Sequence, residues 1–302
     1  MITASQRHSA IADPPVMAGK CLVVVLAHNE ERRIGTCLES LRDRPSDCAV
    51  HVVVNGSSDR TAELASREEG VAIHDWAQGG KSRSWNRFVL DSAPPGVGVY
   101  VFVDGDAQLA PGSLAAMVRA LEAAPEANAA AGMPLNGANG AAYRRGIRER
   151  GDMFGDLYAL SGSFVDRMRA SGIRLPLDLV GDDSLVGALA KTDLAAEMNW
   201  DARRIVAVED AGFYAETMTL SPAGLAAQKG RMINYSVRHF QNRIVSSIMR
   251  GAGPEALPHR MADLYPEWLG RFSPRRSLQW YWFDRAALRR MRAAADASSP
   301  MS

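Results

Sequence analysis

The sequence predicts an α/β protein: a Rossmann-like, mostly parallel sheet flanked by helices, followed by a mainly helical region. Three observations carry that prediction. Through residue 135, short runs of apolar, β-branched residues alternate with stretches of helical periodicity over short connections. This is the pattern of βαβ units with right-handed crossovers. Several of the runs end in polar or acidic residues directly before a helix, as in LAHNE, VVNGSSD and FVDGD. After residue 135 the alternation weakens and longer helical stretches take over.

The elements follow in order. Leu22–Ala27 reads as a strand, and its unbroken apolar run suits burial on both faces. Glu31–Arg42 reads as a helix with Ile34, Leu38 and Leu41 on one face. Val50–Val54 is a second strand, Ser58–Glu69 a second helix and Val71–His74 a short strand. Ser82–Leu90 is a helix and Val99–Val103 a buried strand. Pro111 falls early in the next helix, where proline is tolerated, and that helix runs to about Ala124. Asn128–Met133 is one more strand. In the second half, Gly137–Gly140 is a loop, Ala141–Leu160 a helix and Ser161–Val165 a strand. Pro176–Asp183 is a loop opening into a helix through Lys191. Ile205–Val208 is a strand, Pro222 to about Met249 a long helix, Gly251–Pro258 a linker, and Leu278–Ala295 an aromatic and basic segment.

Composition narrows the function. The 302 residues can bury a large core as one elaborate domain or two closely joined ones. A net charge of +1 makes no electrostatic case for nucleic acid as partner. The three cysteines, Cys21, Cys37 and Cys48, match no zinc or redox spacing. An odd count without a framework suggests a reducing compartment, hence a cytoplasmic location. Residues 1–19 carry Pro14 and Pro15 and no apolar core, so they read as a flexible tail and not as a signal peptide. The longest apolar run, Cys21–Ala27, is far short of a membrane span.

The chemistry concentrates at strand ends. Asp104 and Asp106 flank Gly105 at the carboxyl end of a buried strand, the edge where open α/β sheets bind ligands. Hard carboxylate oxygens there suit Mg²⁺ or Mn²⁺, which can neutralise a diphosphate leaving group. A solvated turn explains an isolated Asp-x-Asp equally well. His28-Asn29-Glu30 ends the first strand, where Glu30 also suits a helix-start charge. Asn55-Gly56 ends the second, and its side chain can meet a base or ribose. GGKSRSWN offers glycines for close backbone approach and Lys81 and Arg83 for phosphate, without the glycine spacing of a Walker loop.

Taken in order, HNEERRI, NGSSDRT, GGKSRSWN and DGD resemble the family 2 glycosyltransferases of the GT-A fold. The likeness is strong from Leu22 to about Leu121 and weaker to about Tyr235. It implies that Ala27, Asn29 and Glu30 line a nucleotide pocket with Asn55 near the base or ribose. Asn55 stands where an acidic residue is common. Lys81 would lie near the nucleotide or its phosphates, Asp104 at the ribose or metal, and Asp106 on the metal, Mn²⁺ or Mg²⁺. The acceptor-side acidic pair of the family matches Asp182-Asp183 in LPLDLVGDDSL, and Asp183 is the expected general base of an inverting transfer. A helix-start charge pair is the plain alternative. The Gln-x-x-Arg-Trp landmark is matched by Gln228-Lys229-Gly230-Arg231-Met232, without its tryptophan, leaving Arg231 as a phosphate contact.

The resemblance divides the chain into a nucleotide-sugar-binding half (20–135), an acceptor-binding half of the same domain (136–250) and a C-terminal helical extension (251–302). The expected donor is a nucleotide-diphosphate sugar, a UDP-sugar first, and the acceptor a glycan, a lipid-linked sugar or a small molecule. Trp280, Trp282 and Phe283 with Arg285, Arg289, Arg290 and Arg292 would suit peripheral contact with the inner face of a membrane. A helix packed on the domain with a solvated basic face explains the same residues. A nucleotidyltransferase is the alternative enzyme, disfavoured because LAHNEERRI lacks a glycine-rich loop. A non-catalytic sugar-nucleotide-binding protein is the alternative outside enzymes. A glycoside hydrolase also uses two carboxylates but needs no nucleotide pocket.

Overall fold

The computed structural model describes residues 20–215 and 222–298; the tail expected over 1–19 lies outside them. An eight-stranded mixed sheet forms the centre, in the order β3-β2-β1-β4-β7-β6-β8-β5. The strands are β1 (Cys21–Ala27), β2 (Cys48–Asn55), β3 (Val71–Trp76), β4 (Val99–Asp104), β5 (Gln108–Leu109), β6 (Ala129–Pro134), β7 (Leu157–Ser161) and β8 (Ile205–Tyr214). Between them run α1 (Ile34–Glu39), α2 (Thr61–Ala65), α3 (Lys81–Trp85), α4 (Ser113–Glu122), α5 (Gly140–Arg150), α6 (Gly162–Ser171) and α7 (Asp182–Thr192). The long α8 (Pro222–Arg250), the short α9 (Tyr265–Trp268) and α10 (Leu278–Ser298) follow.

Strand periodicity divides the core. Leu22, Val24 and Leu26 of β1 join a cluster with Trp85, Phe88, Phe102, Tyr158 and Phe240 on one face. Cys21, Val23, Val25 and Ala27 join Ile34, Leu38 and Met117 on the other. Both faces are covered, which explains the unbroken apolar run of β1. On the first face the Phe102 and Tyr158 rings stack with centroids 4.6 Å apart. The Trp85 indole donates a 3.0 Å hydrogen bond to the Tyr158 hydroxyl. This anchors α3 one turn after Lys81.

Register brings the polar ends together. In the parallel β1–β2 and β1–β4 pairs, Ala27 lies opposite Val54 and Leu26 opposite Asp104. The chain therefore leaves β1 at His28, β2 at Asn55 and β4 at Asp104 along one edge.

Three expectations are corrected. The helix expected over Ala141–Leu160 ends at Arg150, because Gly151 takes a left-handed C-cap (φ 61°). Leu157–Ser161 then enters the sheet antiparallel to both β4 and β6. The strand expected over Ser161–Val165 is a helix start, with the Ser161 hydroxyl accepting from the Phe164 amide at 3.3 Å. The sheet is mostly parallel, as expected, through the β1–β2, β1–β4, β2–β3 and β6–β8 pairs, while β7 and the unexpected two-residue β5 make antiparallel pairs. The expected helices of the first half are also shortened, α1 to Ile34–Glu39 and α2 to Thr61–Ala65.

The C-terminal region is tied to the domain by specific bonds. Asp178 accepts from the Met261 amide at 2.6 Å and from the Ala262 amide at 3.1 Å. The buried Asp284 pairs with Arg275 at 2.7 Å. Ala287, Leu288, Met291 and Ala295 form the buried stripe of α10.

Candidate active site

Three loops at the shared sheet edge are laced by hydrogen bonds, most of them between neutral groups, with the Asp59 carboxylate accepting from the Glu31 amide at 3.0 Å. Asn55 is the buckle: its amide donates to the Ala27 carbonyl at 3.0 Å and its oxygen accepts from the Gly80 amide at 3.3 Å. Its backbone carbonyl meets His28 Nδ1 at 2.7 Å. Asn29 takes a left-handed φ of 57°, a conformation asparagine tolerates. It donates through its amide to Ser57 Oγ at 3.0 Å and accepts from the Ser58 amide at 2.8 Å. The Glu30 amide donates to Thr61 Oγ1 at 2.7 Å. Gly56, at φ 66°, approaches so closely that a Cβ would lie 2.6 Å from the Gly79 Cα. Glycine at 105 is required likewise, since a Cβ there would lie 2.9 Å from the Ala27 Cβ.

These loops floor a cleft of about 450 Å³. His28, Glu30, Asn55, Lys81, Asp104 and Asp106 line it from the strand side, and Asn234 of α8 and Arg290 of α10 close it from the other. Ala27 is fully buried beneath it, and Asn29 holds loops at its margin. Asn86, close in sequence, serves the fold: its side chain donates to the Leu175 carbonyl at 2.8 Å and accepts from the Leu175 amide at 3.1 Å. A larger hollow, about 640 Å³ around Asn128, Arg167 and Asp193, lies away from these strand ends and is crossed by arginine–aspartate pairs.

The acidic groups interact through Lys81. Its Nζ lies 2.6 Å from Asp104 Oδ1 and 3.8 Å from Asp182 Oδ1. Burial works against the lysine charge, but Asp104, Asp182 and Asp183 outweigh it and hold Lys81 firmly protonated. Burial pushes Asp182 up to about 6; Lys81 opposes the rise, and Asp183 and Asp104 add to it. Asp182 Oδ2 is buried without a hydrogen-bond partner. Asp183 is paired with Arg238 at 3.0 Å. Both acids open α7 after Gly181, a left-handed glycine at φ 89°. Burial also raises Asp106, with Asp104 adding and Arg33 and Lys81 opposing.

One acid escaped the sequence reading. In the antiparallel β4–β7 pair, Val103 lies opposite Leu157, so Asp156 falls beside Asp104. Burial, then Asp104 and Asp106, push Asp156 up to about 7 against the pull of Lys81. Gly155 permits this crossing: a Cβ there would lie 2.8 Å from Lys81 Nζ and 2.9 Å from Asp104 Oδ2. Reading residues 141–160 as one helix hid the signal, a Gly-Asp directly before the apolar LYAL.

Among the described residues, no three histidine, cysteine or acidic side chains converge enough to enclose a metal ion. Asp104 and Asp106 instead fit a cation that keeps waters and takes phosphate oxygens as its other ligands. The raised Asp106 and Asp156 fit as well, since crowded carboxylates are what a divalent charge relieves. Arg231 sits half-buried on α8, one turn before Asn234, and is not among the residues lining the cleft.

Comparison with known proteins shows the family and the fold. The family model described as glycosyl transferase family 2 matches residues 22–175. The mannosyltransferase PcManGT from Pyrobaculum calidifontis, in complex with GDP-Man and Mn²⁺, has 19% identity and a TM-score of 0.57, over 97% of this chain and 79% of that one. S. aureus TarS 1–349, in complex with UDP-GlcNAc, has 15% identity and a TM-score of 0.52, over 91% and 88%. Glucosyl-3-phosphoglycerate synthase from Mycobacterium tuberculosis, with Mn²⁺, UDP-Glc and phosphoglyceric acid, has 16% identity and a TM-score of 0.51, over 80% and 81%. No curated protein matches. The structural neighbours share the GT-A fold of this chain, and the family match spans just over half of it: the chain belongs to glycosyl transferase family 2.

Proposed function

We propose that the protein is an inverting glycosyltransferase that moves a sugar from a nucleotide-diphosphate donor, a UDP-sugar first among them, to a hydroxyl acceptor. One observation supports this above the others: Lys81 joins the strand-end Asp104 (2.6 Å) to the α7 start at Asp182 (3.8 Å), linking a donor edge and an acid pair in one site. Asp104 and Asp106 would hold Mn²⁺ or Mg²⁺. When bound, that cation neutralises charge on the leaving diphosphate.

The protein's own groups do the rest. Asp183 takes the acceptor's hydroxyl proton on a carboxylate oxygen. The acceptor oxygen bonds to the anomeric carbon from one face as the bond to the diphosphate oxygen breaks on the other. Arg238, 3.0 Å from Asp183, orients that carboxylate. Lys81 keeps its proton and its positive charge beside Asp104. A second reading makes Asp182 the base, favoured by its unbonded Oδ2 and its rise to about 6. Asp183→Asn is expected to retain donor binding and to lose about a thousandfold in turnover. Near-normal turnover in that variant, with the loss appearing in Asp182→Asn, moves the base to Asp182.

The acceptor is a glycan, a lipid-linked sugar or a small molecule. Among the described residues no helix is long and apolar enough to cross a membrane. Peripheral contact is supported by the exposed Leu278, Tyr281 and Trp282 beside Arg285 on α10. Such a face suits an anionic lipid surface. Co-sedimentation with vesicles containing phosphatidylglycerol, lost in Trp282→Glu, is the expected result. Equal sedimentation of the two proteins removes this contact.

A further inference from the structure

We infer that Arg290, on the C-terminal helix α10, binds the diphosphate of the donor. The inference rests on the donor reading above and adds a residue far outside the matched family region (22–175). The cleft is acidic: Glu30, Asp104 and Asp106 line it, and Asp156 and Asp182 stand beside Lys81. A donor diphosphate brings more negative charge to the same place. The cations lining the cleft therefore decide whether it can enter.

Among the described residues, two lysine or arginine side chains line it, Lys81 and Arg290. Lys81 is committed at 2.6 Å to Asp104 and held near Asp182. Arg290 is not paired to a carboxylate among the described residues. Its bond within the protein is to a neutral group, Nη1 donating to Asn234 Oδ1 at 2.7 Å. That bond leaves the rest of the guanidinium fork for a ligand, and a planar fork matches two phosphate oxygens.

The placement is built from the packing of α10. Ala287, Leu288 and Met291 are buried, which fixes the roll of the helix. Asp284, fully buried, is clamped by Arg275 at 2.7 Å and by the Arg275 amide at 2.8 Å. With the helix so fixed, Arg290 falls on the side that meets Asn234 of α8. Asn234 lies one turn after Arg231, and it holds Arg290 in the cleft, where Arg290 would add to the phosphate contact expected of Arg231.

The test is calorimetric titration of UDP and of GDP, with Mn²⁺, into wild type, Arg290→Ala, Arg290→Lys and Arg289→Ala. Arg289 is the control, an exposed neighbour on the same helix. Arg290→Ala is expected to weaken the nucleoside diphosphate that wild type binds by about tenfold or more, as loss of a charge-assisted phosphate contact should. Arg290→Lys should recover part of the loss and Arg289→Ala none should show. Unchanged affinity in a folded Arg290→Ala, or an equal loss in Arg289→Ala, overturns the assignment. Failure of wild type to bind either nucleotide is a separate outcome that overturns the donor reading itself, and this inference with it.

Discussion

The two sides of the cleft are held by different forces. On the strand side, loops after β1, β2 and β3 are joined mostly by short neutral hydrogen bonds through Asn55, Asn29 and Thr61 and by glycines that touch backbone to backbone, with Asp59 on the Glu31 amide and Lys81 on Asp104 as the charged members. On the helical side, charged groups face one another across longer stretches of chain, Arg238 with Asp183 and Lys81 with Asp182, while Arg290 donates to the neutral Asn234. Neutral lacing within one packed edge gives a rigid floor whose shape survives changes in salt. Charged pairing between separate helices gives a wall whose geometry depends on which ion is present. The floor is suited to gripping a constant part of a substrate, and the wall to responding to charge that arrives and leaves.

Breaking each side should therefore produce a different loss. The larger effect is expected at the wall. Arg238→Met leaves the Asp183 carboxylate without its 3.0 Å partner. Misplacing a reacting group by about an ångström can cost about a hundredfold in rate, so kcat should fall by that order while donor affinity changes little. Steady-state kinetics with calorimetry checks this, and equal losses in kcat and affinity would merge the two sides into one unit. The smaller effect is expected at the floor. Gly56→Ala forces a side chain onto φ 66°, 2.6 Å from the Gly79 Cα. Strain of this kind costs about 1–3 kcal/mol. Thermal unfolding should show it, together with weaker donor binding; an unchanged melting temperature would mean that the two loops can part freely.

The same contrast explains what was legible in the sequence. Each strand-side residue follows its strand directly, so alternation and a parallel register were enough to align Glu30, Asn55 and Asp104 on one edge. Asn55, expected at a base or ribose, lines the cleft and also bonds Ala27 and Gly80, contacts that its place after a strand does not reveal. On the helical side the sequence placed Asp182 and Asp183 at a helix start, which the structure has. It had no access to Asp156, which reaches Asp104 only because β7 runs antiparallel to β4. It named Arg290 only as part of a basic segment, because its place on the cleft depends on how α10 packs against α8. Arg231 matched a local pattern, but that pattern carries no information about which helix closes the cleft. Local order was readable because it is encoded in neighbours, and the rest required contacts between residues more than fifty positions apart.

The most direct test of the account is a calorimetric titration of UDP, GDP and CDP into the protein, each with and without Mn²⁺, repeated on Asp106→Ala. The account predicts that one nucleoside diphosphate binds with micromolar affinity, that binding depends on Mn²⁺, and that Asp106→Ala abolishes it. Absence of binding by all of them, or binding indifferent to both Mn²⁺ and Asp106, would contradict it.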